Sequence, residues 1–168
     1  MDEEKLIHEL TSDEKLAAWG NGEWVEEPEY LEFTYKGYLG IVKRVYHYWN
    51  PGKIELGHLC GYVQIPEGHP WHGKDHDDID ADCHGGLTWS GANDAGLYLV
   101  GFDCGHSMDI CPGTEKFMIQ SKEELAKRFP WLSPATSKLF VGAYKNLEFV
   151  KRQLIKLVDQ AIKAQEAS

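Results

Sequence analysis

The chain has 168 residues, of which 42% are apolar, 26% charged and 12% aromatic. That is the size and composition of one globular domain with a single core, and it excludes a fibrous, low-complexity or disordered chain. The formal net charge of −10 repels a phosphate backbone, and no basic stripe is interleaved with aromatics, so nucleic acid is excluded as a general partner.

No apolar run reaches the roughly 20 residues of a membrane span, and the opening MDEEKLIHEL lacks the basic-then-apolar order of a secretion signal. A cytoplasmic location and no membrane partner are expected. In a reducing compartment Cys60, Cys83, Cys104 and Cys111 read as free thiols rather than as two disulfides. Residues 1–32 carry eleven acids against two lysines and residues 115–168 ten bases against six acids, so head and tail suit different partners.

In chain order, SDEKLAAWGNG predicts a short helix over about 12–19, with Ser12 as its cap and Gly20 and Gly22 as its stop. YLEFTYKGYLGIVKRVYHYW, rich in aromatic and β-branched residues around Lys36-Gly37, predicts a β-hairpin. After the turn Asn50-Pro51-Gly52-Lys53, LGHLCGYVQIP predicts a further strand ended by Pro66. Residues 67–76, with Gly68, Pro70 and Gly73, read as an ordered loop. DDIDADCH is expected to be a strand, and AGLYLVGFDCGH a central one.

Towards the end, SKEELAKRF predicts a helix capped by Ser121 with Glu124 completing the capping box. From about Ser137 to Ala167 the spacing of Leu147, Val150, Leu154, Leu157 and Ala161 predicts a long amphipathic helix, packed on the sheet or paired with a second copy. The fold class is therefore α+β: a mostly antiparallel sheet of four to six strands with a short N-terminal helix and C-terminal helices. One domain over 1–168 is expected, with a β-rich core at 22–113 carrying the site and a helical part at 121–167.

The chemistry concentrates in WHGKDHDDIDADCHGG, residues 71–86. On a strand, Asp80, Asp82 and His84 share one face and Ile79, Ala81 and Cys83 the other. GFDCGHSMD adds Asp103 and His106, with Asp109 beyond. If its strand pairs with that of Ile79–His84, then Asp80, Asp82, His84 and Asp103 face one pocket. Carboxylates and imidazoles of this kind bind a divalent metal and activate water, with Asp80, Asp82, His84, Asp103 and His106 as candidate ligands or catalytic residues. The same carboxylates also suit metal-free acid/base work.

A binding pocket is the third reading. His69 is a candidate ligand-binding residue, the acids Asp78, Asp80, Asp82 and Asp103 are acceptors for ribose hydroxyls, and Lys74 supplies charge. Gly85 and Gly86 expose backbone N–H groups beside His84 and the Thr88 hydroxyl, while Trp71 and Trp89 offer flat rings for a base. Neither a P-loop nor G-x-G-x-x-G occurs. A zinc knuckle lacks its C-x-x-C, Cys104 is a poor nucleophile beside His106 at this spacing, and loop aspartates also serve simply to fix turns.

GHLCGYVQIPEGHPWHGKDHDDIDADCHGGLTWSG followed by VGFDCGHSMDICPG resembles a widespread family of small uncharacterised phage, prophage and bacterial proteins. Its blocks run GHLCGYV, GHP, GK, DD, HGGLT and GFDC-x-H, and the match covers about residues 22–113. The chain departs from it at His76, where the family more often has Tyr, and in a shorter loop between Gly91 and Leu97. The resemblance implies a shared site and a phage-type accessory role. The expected function is binding and sequestration of a nucleotide-derived small molecule by a homo-oligomer in the host cytoplasm, countering defence signalling. The alternatives are a metal-dependent hydrolase acting on a phosphorylated small molecule, and a protein-interaction inhibitor of a host factor.

Overall fold

The computed structural model describes residues 4–131 and 142–168, with the side chains of 115–122 left out of the account. Six strands form one antiparallel sheet: β1 (Lys5–Ile7), β2 (Tyr30–Tyr35), β3 (Tyr38–Asn50), β4 (Lys53–Gln64), β5 (Trp89–Ala92) and β6 (Tyr98–Asp103). Their spatial order is β1-β2-β3-β4-β6-β5, so the chain meanders through four strands and adds the last two in reverse. Helices α1 (Ser12–Trp19), α2 (Pro112–Arg128) and α3 (Leu147–Glu166) complete the described elements, with short 3-10 turns at Glu23–Val25 and His76–Asp78. The α+β expectation holds.

Both hairpins lie where the turn residues put them. Lys36 and Gly37 take positive φ (49° and 84°), the two-residue connection whose twist matches that of the strands. The long β3–β4 hairpin is interrupted where Arg44 faces Leu59 but Tyr46 faces Leu56. Leu56 and Gly57 take positive φ there, and this bulge redirects His58 out of the regular ladder. Gly57 is required, because a Cβ on it would stand 2.8 Å from the ring of Trp19.

The α3 stripe is buried in this chain's own core. Val150, Leu154, Leu157, Val158 and Ala161 have no exposed surface and pack with Leu31, Phe33, Val42, Leu59, Val63 and Phe102. Each such aliphatic side chain contributes about 1.5–3 kcal/mol of burial. Helix and sheet approach closely at Gly61, where a Cβ would stand 2.9 Å from Val150. Of the two expected uses of the stripe, covering the sheet is the one observed, so the stripe supplies no oligomer seam.

Several expectations need correction. Helix α1 is capped by Thr11, not Ser12: Thr11 accepts from Glu14 N–H at 3.1 Å, and Glu14 accepts from Thr11 N–H at 2.9 Å, a complete capping box one residue earlier. Ser121 lies inside α2 rather than at its start, because the helix already begins at Pro112, a residue suited to the first helical turn. Helix α3 starts at Leu147 behind the cap Asn146; the expected start at Ser137 lies outside the described residues. Trp89–Ala92, for which no strand is expected above, is strand β5. Most consequentially, residues 79–84 form no strand.

Candidate functional site

Residues 79–83 pair with no strand, and His84 stands in the turn that follows. Two glutamines of α3 take the place of the missing neighbour. Asp82 N–H donates to Gln160 Oε1 at 2.7 Å while Gln160 Nε2 donates to the Asp82 carbonyl at 2.8 Å, and His84 N–H donates to Gln153 Oε1 at 3.1 Å. The alternation read from the sequence survives: Ile79 and Cys83 are buried, Asp80 and Asp82 exposed and His84 half-buried. What fails is the pairing, since β6 lies between β4 and β5. Asp80, Asp82, His84 and Asp103 therefore do not share one pocket.

His84 instead meets His106 and Asp109. Its Nε2 lies 2.8 Å from Asp109 Oδ2 and 3.0 Å from Oδ1, and His106 Nδ1 lies 3.1 Å from the same Oδ2. The His106 backbone N–H also donates to Oδ2 at 3.1 Å, closing the turn from His106 to Asp109. The imidazoles are 5.3 Å apart and edge-to-face, and Phe149 of α3 stands edge-on to His84 at 5.2 Å. Gly85 makes room for this cluster, because a Cβ there would stand 2.2 Å from the His106 ring, and its φ of +70° favours glycine as well.

Asp109 is the buried member, with 2% of its side chain exposed against 21% for His84 and 34% for His106. Burial alone pushes a carboxyl pKa up; the hydrogen bonds from His84 and His106 outweigh it and hold Asp109 below the usual carboxylate range. One donor atom from each of the three side chains lies within 4.8 Å of the others. Two imidazoles and one carboxylate make a donor set for a divalent transition ion, and three protein ligands leave further positions open to solvent or ligand. The other such cluster among the described residues, Asp75, His76 and Asp77, is three consecutive residues of a loop, where Asp75 caps the turn by accepting from Asp77 N–H.

The remaining candidate residues scatter. His69 is buried and fully engaged: Nδ1 accepts from Trp71 N–H at 3.0 Å, which leaves Nε2 to donate to the Ala161 carbonyl at 2.8 Å. Trp71 is only 5% exposed, so its ring packs in the core rather than offering a stacking face. Lys74, Asp78 and Asp80 do line one open groove with Trp71, Gln160 and Lys163, about 480 Å³ in volume. Gly86 N–H closes a turn on the Cys83 carbonyl, and Thr88 N–H bonds the Gly101 carbonyl.

Trp89 stacks edge-on to Tyr62 at 5.7 Å. Gly61 faces α3, so Tyr62 and Trp89 lie on the opposite face of the sheet, away from His84. Asp103 accepts from Gly105 N–H at 2.8 Å, next to the bulge residue His58. Burial lowers the His58 pKa, the charges of Asp103 and Asp109 working against that shift.

The cysteines are unpaired. Cys104 is buried and its thiol is pushed far up by burial, which removes it as a nucleophile. Asp109 is the member of the cluster that sequence reasoning left out of its candidate set; the signal available was His106-x-x-Asp109, a spacing that closes on itself in a turn.

No family model, no curated protein and no solved structure matches this chain, so its function is argued from this geometry.

Proposed function

We propose that the chain holds a divalent transition-metal ion between His84, His106 and Asp109 and uses it to hydrolyse a phosphorylated small molecule of nucleotide type. The observation that carries this reading is the convergence of two imidazole nitrogens on one buried carboxylate, with the donor atoms within 4.8 Å of one another and the histidines open to solvent. Without an ion, each ring donates its N–H to the carboxylate; an ion takes the place of those protons. A divalent ion in an incomplete coordination shell lowers the pKa of a water it binds and polarises a phosphoryl oxygen. The chain's own parts keep the ligands aimed: Gln153 holds the His84 backbone, the His106–Asp109 turn holds the other two, and Gly85 clears the space between.

The resemblance to phage and prophage proteins is the ground for taking the phosphorylated molecule to be a nucleotide-derived signal. Sequestration without reaction is the second reading, and the groove beside Lys74 and Lys163 favours it. The two readings part on the fate of the ligand, which a binder releases intact and a hydrolase consumes.

The test is equilibrium dialysis of the purified protein against Mn(II), Co(II) and Zn(II) with elemental analysis, followed by incubation of the loaded protein with a panel of nucleotides. One ion per chain is expected, with the affinity reduced at least tenfold in Asp109→Asn, together with loss of the nucleotide from solution. Parent protein and Asp109→Asn that bind the ions equally weakly would overturn the metal centre. One ion bound with every nucleotide recovered intact would leave the metal and remove the hydrolysis.

A further inference from the structure

We propose that Lys145 is the anion-recognising residue of this site, so that the ligand presents a phosphoryl group to the ion and to Lys145 together. The inference rests on the metal-centre reading and names what that centre takes.

The segment carrying Lys145 is fastened on both sides. Before it, Ala143 forms a parallel bridge with Asp109: Ala143 N–H donates to the Met108 carbonyl at 3.0 Å and Ile110 N–H to the Ala143 carbonyl at 3.1 Å. After it, Asn146 caps α3 by accepting from Phe149 N–H at 2.9 Å, and Leu147 N–H donates to Glu27 at 2.5 Å. Between these anchors Lys145 reaches over the Phe149 ring, its Nζ 5.3 Å from the ring centre and 3.9 Å from Asp109 Oδ1. Lys145 and His84 thus flank the same aromatic ring.

At 3.9 Å the ammonium is beyond hydrogen-bonding distance of the carboxylate. Among the described residues Nζ donates no hydrogen bond, and the side chain is 20% exposed, so the ammonium beside Asp109 keeps its donors available for a ligand. In the metal-free protein the Lys145 charge is balanced by Asp109. A bound ion takes up the Asp109 charge and leaves the centre with two positive charges from the ion, one from Lys145 and one negative charge from Asp109. Such a centre selects a dianion, and a phosphoryl group supplies several oxygens for the ion and the ammonium to share. The consequence is ordered binding: the anion follows the ion, and by reciprocity phosphate tightens the ion.

The experiment titrates inorganic phosphate into the Co(II)-loaded protein and follows the visible cobalt spectrum. It is repeated with Lys145→Met, which keeps an apolar stem over Phe149, and with Lys145→Arg, which restores the charge. The expected result is Co(II) affinity in Lys145→Met equal to or tighter than in the parent, phosphate affinity lower by about tenfold, and recovery of most of that loss in Lys145→Arg. A lysine that only neutralises Asp109 tightens Co(II) on removal and leaves phosphate affinity unchanged, which overturns the proposal. A loaded parent protein that ignores millimolar phosphate overturns it as well. Failure of the parent to take up Co(II) overturns the metal centre beneath it, and is recognised by parent and Asp109→Asn behaving alike.

Discussion

His58 shows how one residue can report on the neighbourhood of the site without touching a ligand. The β4 bulge turns it towards Gly105, where a Cβ would lie 3.2 Å from its Nε2, and its Nδ1 is buried without a hydrogen bond. Burial is the main cause that lowers its pKa from 6.5; Arg44 and His106 act in the same direction, and Asp103 and Asp109 act against it. As pH falls below about 6.5 the unfolded chain therefore binds a proton that the native state refuses. The contribution of His58 is fully present above that pH and is lost as pH falls through its native pKa. Urea unfolding at pH 7.5, 6.5 and 5.5 is expected to show stability declining across this range, and His58→Gln to flatten the decline. Equal slopes in the two proteins would assign the pH dependence to other groups. His84 and His106 were legible in the sequence as candidates because polar residues crowd around them. Asp109 was less so, since the sequence does not show that a carboxylate three residues past a histidine is buried.

Among the elements, the segment 79–84 separates what periodicity reveals from what it does not. Alternation of Ile79, Ala81 and Cys83 with Asp80, Asp82 and His84 records which side chains face the core, and the structure keeps that record. It holds no record of what satisfies the backbone, and here helix side chains do so from Gln153 and Gln160, more than 60 residues away. The hairpins were legible because their turns are local chemistry at Lys36-Gly37 and at Asn50–Lys53. Strand β5 was not, because Trp89–Ala92 is four residues long, contains Gly91 and owes its strand conformation to pairing with β6. Replacing Gln160 by Ala removes both bonds to Asp82 and is expected to cost about 1–2 kcal/mol, whereas Leu154→Ala opens a cavity in the sealed helix–sheet core and should cost about 2–5 kcal/mol. Denaturant melts of both variants check the ranking. Gln160→Ala has a second readout, faster amide hydrogen exchange at Asp82, and its absence would mean that the clasp does not hold the segment.

At the scale of the whole molecule, the acidity of the first 32 residues, which looked like a face for a partner, is partly turned inward. Glu29 is 2% exposed and its carboxylate accepts from Lys15 Nζ at 2.8 Å and from the N–H groups of Glu9 and Leu10 at 2.9 and 3.1 Å. Lys15 also donates to the Glu27 carbonyl, and Arg44, itself buried, lies 3.4 Å from the Glu27 carboxylate and 3.6 Å from that of Glu29. Glu27 in turn accepts from Tyr144 at 2.6 Å and from Leu147 N–H. Two cations and two carboxylates thus tie α1, the sheet and the start of α3 together, next to the segment that carries Lys145. A balanced buried set adds little relative to apolar packing, but removing one member strands the opposite charge where water cannot reach it. Lys15→Met is therefore expected to destabilise the protein by about 3–5 kcal/mol. Lys36→Met, which breaks an exposed pair with Asp159 of the same 2.8 Å length, is expected to leave stability almost unchanged, because solvent screens the pair. Urea unfolding of the two variants side by side checks this; equal losses would mean that distance rather than burial decides what an ion pair contributes in this fold.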